Sequence, residues 1–176
     1  MRPLFAATIA LLALLPAACE KKSASGEKPA QSAAATAGVP GPGYDTSEAG
    51  NAKFMADYAA LPGVKKTADG LMYRVIKAGT GPQVQKDNDV VSVYYKGSLI
   101  NGKVFDQTKP EEPIQFPVGG VIPGWTEALK KMKTGDTWEV VIPSELGYGA
   151  DGSGDAIPPD QTLVFTMSLV KVEYAP

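Results

Sequence analysis

No histidine occurs anywhere in the 176 residues, and there is a single cysteine, Cys19. The first absence excludes Ser-His-Asp triads, histidine metal sites and histidine general bases. The second excludes an intramolecular disulfide and a thiolate cluster. Neither sign of charge dominates: 17 basic and 19 acidic residues leave a formal net charge of −2. The clustered Lys and Arg of a nucleic-acid-binding domain are missing. The apolar run from Leu4 to Leu15 is about a dozen residues, short of the ~20 that a membrane span needs. Turn chemistry is what the chain has in quantity. Its 19 glycines and 15 prolines suit short strands joined by loops. The length allows one ordinary domain with appendages.

Arg2, the apolar run and the small residues Ala17-Ala18 before Cys19 read as a secretory signal peptide over 1–18. The end of that run, Leu15-Pro16-Ala17-Ala18-Cys19, resembles the lipidation box of bacterial lipoproteins, with Pro16 in the place usual for leucine. The resemblance implies lipidation of Cys19 and a membrane anchor; the alternative is ordinary cleavage nearby with Cys19 discarded. Glu20, rather than Asp, follows the cysteine, and by the same resemblance points to the periplasmic face of the outer membrane. A soluble periplasmic or secreted protein is the alternative location. Residues 19–44 are rich in Ala, Ser, Lys, Gly and Pro, bury too little apolar area to offset ordering entropy, and read as a flexible tether.

Over 45–66 a short helical segment is expected. Asp45 and Glu48 have capping-box spacing, Ala52, Met55, Tyr58 and Ala59 follow at helical intervals, and Pro62-Gly63 ends the run. From Leu71 the period becomes two. Leu71, Tyr73 and Val75 alternate with Met72, Arg74 and Ile76; Val91, Val93 and Tyr95 share one face of the next strand. Asn101-Gly102 makes a hairpin-type turn into Lys103-Val104-Phe105-Asp106. Ile114-Gln115-Phe116 is a short extended piece. Trp125, Ala128, Leu129 and Met132 then form one helical stripe, with lysines near its end and Gly135 placed to stop it. Trp138, Val140 and Ile142 alternate again, and a Gly-rich loop leads to a last strand with Leu163, Phe165, Met167 and Leu169 on one face. The fold class is α+β. About five antiparallel strands make a curved half-barrel sheet wrapped around one short helix, over 67–176.

Several local motifs stand in fixed order along this domain. They are Val93-Tyr94-Tyr95-Lys96-Gly97, Gly102-Lys103-Val104-Phe105-Asp106, Val121-Ile122-Pro123-Gly124-Trp125, Leu146-Gly147-Tyr148-Gly149, and Ile157-Pro158-Pro159 with Thr162-Leu163-Val164-Phe165. Each alone is weak. In this order, from about Thr67 to Glu173, they resemble the FKBP-type peptidyl-prolyl cis-trans isomerases. The stretch from Val64 to Leu71 also resembles the segment preceding the domain in secreted bacterial members. Those members often carry a longer helical dimerisation arm. Here the arm is about one helix long, so α-helical packing on the domain and a monomer are expected.

The resemblance implies an apolar pocket between sheet and helix, floored by Trp125 and walled by Tyr95, Phe105, Asp106, Val121, Ile122, Tyr148 and Phe165. It assigns catalysis to Asp106, Tyr148, Tyr95, Phe105, Trp125 and Phe165, and substrate binding to Val121, Ile122, Ile114 and Ile157. Tyr148 hydroxyl and Ile122 N–H would hold ligand carbonyls, and Asp106 would face the displaced carbonyl carbon. Ile114 stands where many members have an aromatic, and the loop 150–156 lacks the histidine and bulky aliphatic of animal members. Both departures bear on substrate preference and on affinity for the family's macrolide inhibitors.

The chemistry is compatible with what the chain lacks. Rotation about an X-Pro amide is slowed by a resonance barrier of about 18–20 kcal/mol, and no bond is made or cut. No nucleophile, metal or cofactor is required. A catalyst has to prefer the twisted amide over the planar one. An apolar aromatic pocket does so, because the planar amide is the more charge-separated form, and oriented donors fix the twisted carbonyl. Singly, the residues also have plain structural readings. Trp125 and Phe165 suit a core, Val121 and Ile122 are ordinary aliphatics, and Asp106 suits a turn or ion pair. The partners implied are unfolded or X-Pro-containing polypeptides. The alternative function is a chaperone or binding module on the same scaffold, which would keep the pocket without needing Asp106 or Tyr148.

Overall fold

The period-two stretches build one antiparallel sheet in the computed structural model, which describes residues 43–176. The strands are β1 (Val64–Lys66), β2 (Met72–Lys77), β3 (Val90–Leu99), β4 (Val104–Gln107), β5 (Ile114–Pro117), β6 (Thr137–Ile142) and β7 (Leu163–Glu173). They lie in the order β1-β2-β6-β7-β3-β4, and β5 also pairs with β3. The longest ladder joins β3 to β7 from Val90↔Glu173 to Leu99↔Leu163, with a shift between Ser92 and Val93. The sheet has seven strands, where periodicity predicts about five. β1 has three residues and β5 four, too few for alternation to show without their partners. β1 falls within 45–66, the stretch predicted to be helical. After Pro62 and Gly63, the latter at φ 79, the chain extends and pairs Val64 with Arg74.

Both faces of the sheet are covered. Alternation sends Leu71, Val91, Val93, Trp138, Val140, Ile142, Leu163, Phe165, Met167 and Leu169 to an inner face. There they pack on helix α2 (Pro123–Lys131) through Trp125, Ala128 and Leu129, with Met132 just beyond its end. The stripe read from the sequence is therefore the buried stripe. The helix stops at Lys131 because Met132 is already extended, at ψ 152. Gly135, expected to end the helix, instead makes the turn after it, at φ 94.

The outer face carries a second cluster. Met72, Ile100, Val141 and Val164 meet Phe54 and Tyr58 of helix α1 (Glu48–Ala59). This helix is capped by Ser47, whose Oγ accepts the Gly50 N–H at 3.1 Å. Asp45, expected as the cap, supports Ser47 by accepting its N–H at 3.0 Å. The buried face is Asn51, Phe54 and Tyr58, one position away from the predicted Ala52-Met55-Tyr58-Ala59 stripe. Tyr58 is common to both faces, while Ala52 and Ala59 are exposed and Met55 half-buried; burying the Phe54 ring removes more apolar surface than burying the two alanines. Tyr58 hydroxyl donates to Glu139 Oε1 at 3.0 Å, and the same oxygen pairs with Arg74 at 2.9 Å. Burial pushes the Glu139 carboxyl above its usual range, although Arg74 and Tyr58 oppose that shift.

Tyr44 packs its ring edge-on to Phe54 at 5.2 Å, and its hydroxyl donates to Asp57 Oδ2 at 2.5 Å. The signal-peptide, lipidation and remaining tether readings, residues 1–42 including Cys19, lie outside the described residues.

Candidate active site

At the open side of the inner core, Trp125 is 4% exposed and is ringed by three other aromatics. Tyr95 meets it at 4.9 Å and 85°, Phe165 at 5.2 Å and 86°, and Phe116 at 5.8 Å and 84°. Phe105 meets Phe165 in the same near-perpendicular way, at 5.5 Å and 83°. Edge-to-face contacts of this kind fix ring orientation as well as burying area. They leave a cavity of about 460 Å³ lined by Tyr95, Phe105, Asp106, Phe116, Gly120, Val121, Ile122, Trp125, Tyr148 and Phe165.

Local structure explains each placement. Tyr95 and Phe165 come from facing strands β3 and β7 at inward positions, and Phe105-Asp106 from β4 across the hairpin. Gly97 lets the rings close. A Cβ built there would lie 2.7 Å from Phe105 Cε2 and 2.7 Å from Phe165 Cε1. Val121 and Ile122 are extended, and Pro123 then opens α2, a position where its missing N–H costs nothing. The Ile122 carbonyl accepts the Trp125 N–H at 2.9 Å, so its own N–H precedes the helical ladder. Thr126 Oγ1 donates to the Val118 carbonyl at 2.7 Å and secures this corner. Tyr148 stands in the loop between β6 and β7, 38% exposed.

The cavity is apolar except at one side. Tyr95 hydroxyl donates to Asp106 Oδ2 at 2.5 Å. Burial raises the Tyr95 pKa, and the hydrogen bond and charge of Asp106 raise it further. Tyr95 is thereby kept as a neutral donor that fixes the carboxylate. The Trp125 Nε1 is buried without a hydrogen-bond partner among the described residues.

All eight wall and floor residues named from the sequence line this one cavity. Ile114 and Ile157 do not. Ile114 is 39% exposed on β5, and Ile157 is 4% exposed within the core. The ring that lines the cavity from β5 is Phe116, two residues beyond Ile114 on the same strand face. Its signal was present in the alternation of Ile114-Gln115-Phe116, and Gly120 is the other lining residue that sequence reasoning missed. The geometry suits an apolar group inserted against Trp125, with a carboxylate and a tyrosine hydroxyl at the rim. No serine, threonine, cysteine or lysine lies among the lining residues.

The fold and site define an α+β class, a half-barrel sheet with an aromatic pocket against its single inner helix, and the relatives specify the family. Residues 81–170 match the family described as FKBP-type peptidyl-prolyl cis-trans isomerase. The chain belongs to that family. It is 45% identical over 130 residues to the FKBP-type 22 kDa peptidyl-prolyl cis-trans isomerase of Escherichia coli K12, covering 73% of this chain and 63% of that protein. It is 46% identical over 123 residues to the outer membrane protein MIP of Legionella longbeachae, covering 69% and 52%. Among solved structures, FkpA of Escherichia coli is similar at 47% identity and a TM-score of 0.69, over 73% of this chain and 60% of that one. A peptidyl-prolyl cis-trans isomerase from Pseudomonas syringae pv. tomato is similar at 43% identity and a TM-score of 0.68, over 75% of this chain and 100% of that one. The chain thus spans about half to two thirds of the curated relatives' own lengths.

Proposed function

We propose that the protein is a peptidyl-prolyl cis-trans isomerase acting on X-Pro bonds of extracytoplasmic polypeptides as they fold. The observation that carries this reading is the one cavity in which five aromatic rings, Asp106 and Tyr148 meet. The proline ring would sit on Trp125 between Tyr95, Phe105, Phe116 and Phe165. Moving the planar amide from water into this apolar site is more costly than moving the twisted one, so the barrier falls. Tyr148 hydroxyl and the Ile122 N–H would hold carbonyls flanking the twisted bond. Asp106, oriented by Tyr95, would face the displaced carbonyl carbon.

The location forms part of the same proposal. Residues 1–18 act as an export signal, Cys19 carries lipid and the residues from there to 43 tether the folded part, Tyr44 being packed on α1; the isomerase domain is 67–176. The name of the Legionella longbeachae relative supports a place outside the cytoplasm, at the outer membrane. Packing of α1 on its own sheet supports a monomer, and the cavity supports binding of macrolide inhibitors.

The test is the cis-to-trans relaxation of a short Leu-Pro or Phe-Pro peptide with and without the protein. Acceleration at micromolar protein is expected, and loss of about tenfold or more for both Asp106→Leu and Tyr148→Phe. No acceleration refutes the enzyme reading. Unchanged rates in both variants refute the residue roles. Suppressed aggregation of a proline-free client, without isomerisation, would establish the chaperone alternative.

A further inference from the structure

We infer that Asn51, on α1 and outside the segment matched to the family, is a positioning residue for the site: it clamps the turn that holds the Tyr148 loop in place. The inference rests on the isomerase reading above. Tyr148 is the lining residue least tied down. It is 38% exposed, and among the described residues its hydroxyl forms no hydrogen bond. Its place therefore depends on the backbone around it. Its carbonyl accepts the Gly152 N–H at 3.2 Å, and the carbonyl of the next residue, Gly149, accepts the Asp160 N–H at 2.8 Å.

Asp160 is the weak point of that support. It sits at φ 57, a left-handed conformation uncommon outside glycine, which Asp adopts more readily than most residues. The contacts that hold the residues after it come from the α1 region. Asn51 is 8% exposed. Its Oδ1 accepts the Thr162 N–H at 2.9 Å, and its Nδ2 donates to the Ser47 carbonyl at 2.9 Å. Gln161, 6% exposed, donates through Nε2 to the Thr46 carbonyl at 3.1 Å and to the Pro159 carbonyl at 2.9 Å. The two residues after Asp160, Gln161 and Thr162, are thus bonded to the segment leading into α1 and to α1 itself, and Gln161 also ties back to Pro159 on the other side of Asp160. Without the Asn51 bond, the Thr162 N–H loses its partner and the turn is free to relax. The Asp160 N–H then leaves Gly149, and Tyr148 loses its register. Anchoring of α1 itself does not need this amide, because Phe54 and Tyr58 are each fully buried. A buried polar side chain bridging 111 positions in sequence has a more specific task than helix docking.

The experiment measures kcat/KM for the peptide with purified wild-type protein and variants, alongside circular dichroism and urea unfolding. Asn51→Ala is expected to stay folded and lose about tenfold in kcat/KM. Asn51→Asp keeps an oxygen for the Thr162 N–H but sets its second oxygen against the Ser47 carbonyl, so it is expected to fall between the alanine variant and wild type. In a Tyr148→Ala background, Asn51→Ala is expected to cost less than about twofold, since the group it positions is gone. Asn51→Leu, of similar volume, replaces the alanine variant if that one does not fold. Unchanged activity in Asn51→Ala, or an equal fold-loss in both backgrounds, would each overturn the inference. An inactive wild type would overturn the isomerase reading itself, a separate and recognisable result.

Discussion

Gly97→Ala tests whether the pocket rings are held as rigidly as their contacts imply. Gly97 lies mid-strand in β3, opposite Asp106 on β4 and Phe165 on β7. A Cβ there would come 2.7 Å from Phe105 Cε2 and Cζ and 2.7 Å from Phe165 Cε1. Carbon atoms prefer about 3.5–4.0 Å, so both rings have to move by about 1 Å. Overpacking of this kind costs about 1–3 kcal/mol. Alanine recovers about 0.5–1 kcal/mol over glycine within a strand, which leaves a net loss of about 0–2.5 kcal/mol, centred on about 1 kcal/mol. With a urea slope of about 1.5–2 kcal/mol/M, the unfolding midpoint should fall by roughly 0.5–0.7 M. Because the displaced rings are cavity walls, kcat/KM for a Leu-Pro peptide should fall at least about tenfold. Adding Phe105→Leu to Gly97→Ala vacates ring volume, so the double variant should lose less stability than the sum of the two singles. Wild-type stability together with wild-type activity in Gly97→Ala would refute the reasoning, because the close approach at Gly97 would then constrain nothing.

Two other substitutions separate core from chemistry. Trp125→Ala removes the ring on which three others converge and should cost about 3–5 kcal/mol in urea unfolding, with loss of activity. Tyr148→Phe should change stability by less than about 0.5 kcal/mol yet slow the peptide assay; equal stability loss for the two would contradict this division. A third prediction concerns pH. Asp89 is buried, which raises its pKa, but N–H donation from Lys86, Gln85 and Ala175 outweighs burial and holds the carboxyl below its usual range. A depressed folded-state value stabilises the fold above the unfolded pKa of about 3.9, and that stability is lost as pH falls through the folded value. The gap between wild type and Asp89→Asn in urea midpoint should therefore be full near neutrality and shrink in that acid window. A gap that widens on acidification would reverse the assignment.

The stripe Trp125-Ala128-Leu129-Met132 and the strand faces of β3, β6 and β7 were legible in the sequence. In each case the apolar residues recur at the period of the element, and burial follows that period. The eight residues predicted to form the wall and floor were legible too, through the order of local motifs rather than through any one of them. Periodicity carries less where apolar residues are few. In α1 both the Ala52-Met55 and the Asn51-Phe54 faces have helical spacing. The docking surface formed by Met72, Ile100, Val141 and Val164 selects the second.

What is excluded was determined by the sequence alone: with no histidine and one cysteine at position 19, histidine-dependent chemistry and an intramolecular disulfide are ruled out. So was the inner core, because alternation and helical spacing are properties of the local backbone. Tertiary structure alone decided that Phe116 and not Ile114 reaches the cavity. It also decided that Val64–Lys66 pairs as a strand, and that Asn51 meets Thr162 across 111 positions. Each depends on what the rest of the chain places opposite. A side chain's reach, a three-residue strand's partner and a buried amide's acceptor are set by neighbours distant in sequence, and local pattern contains no record of them.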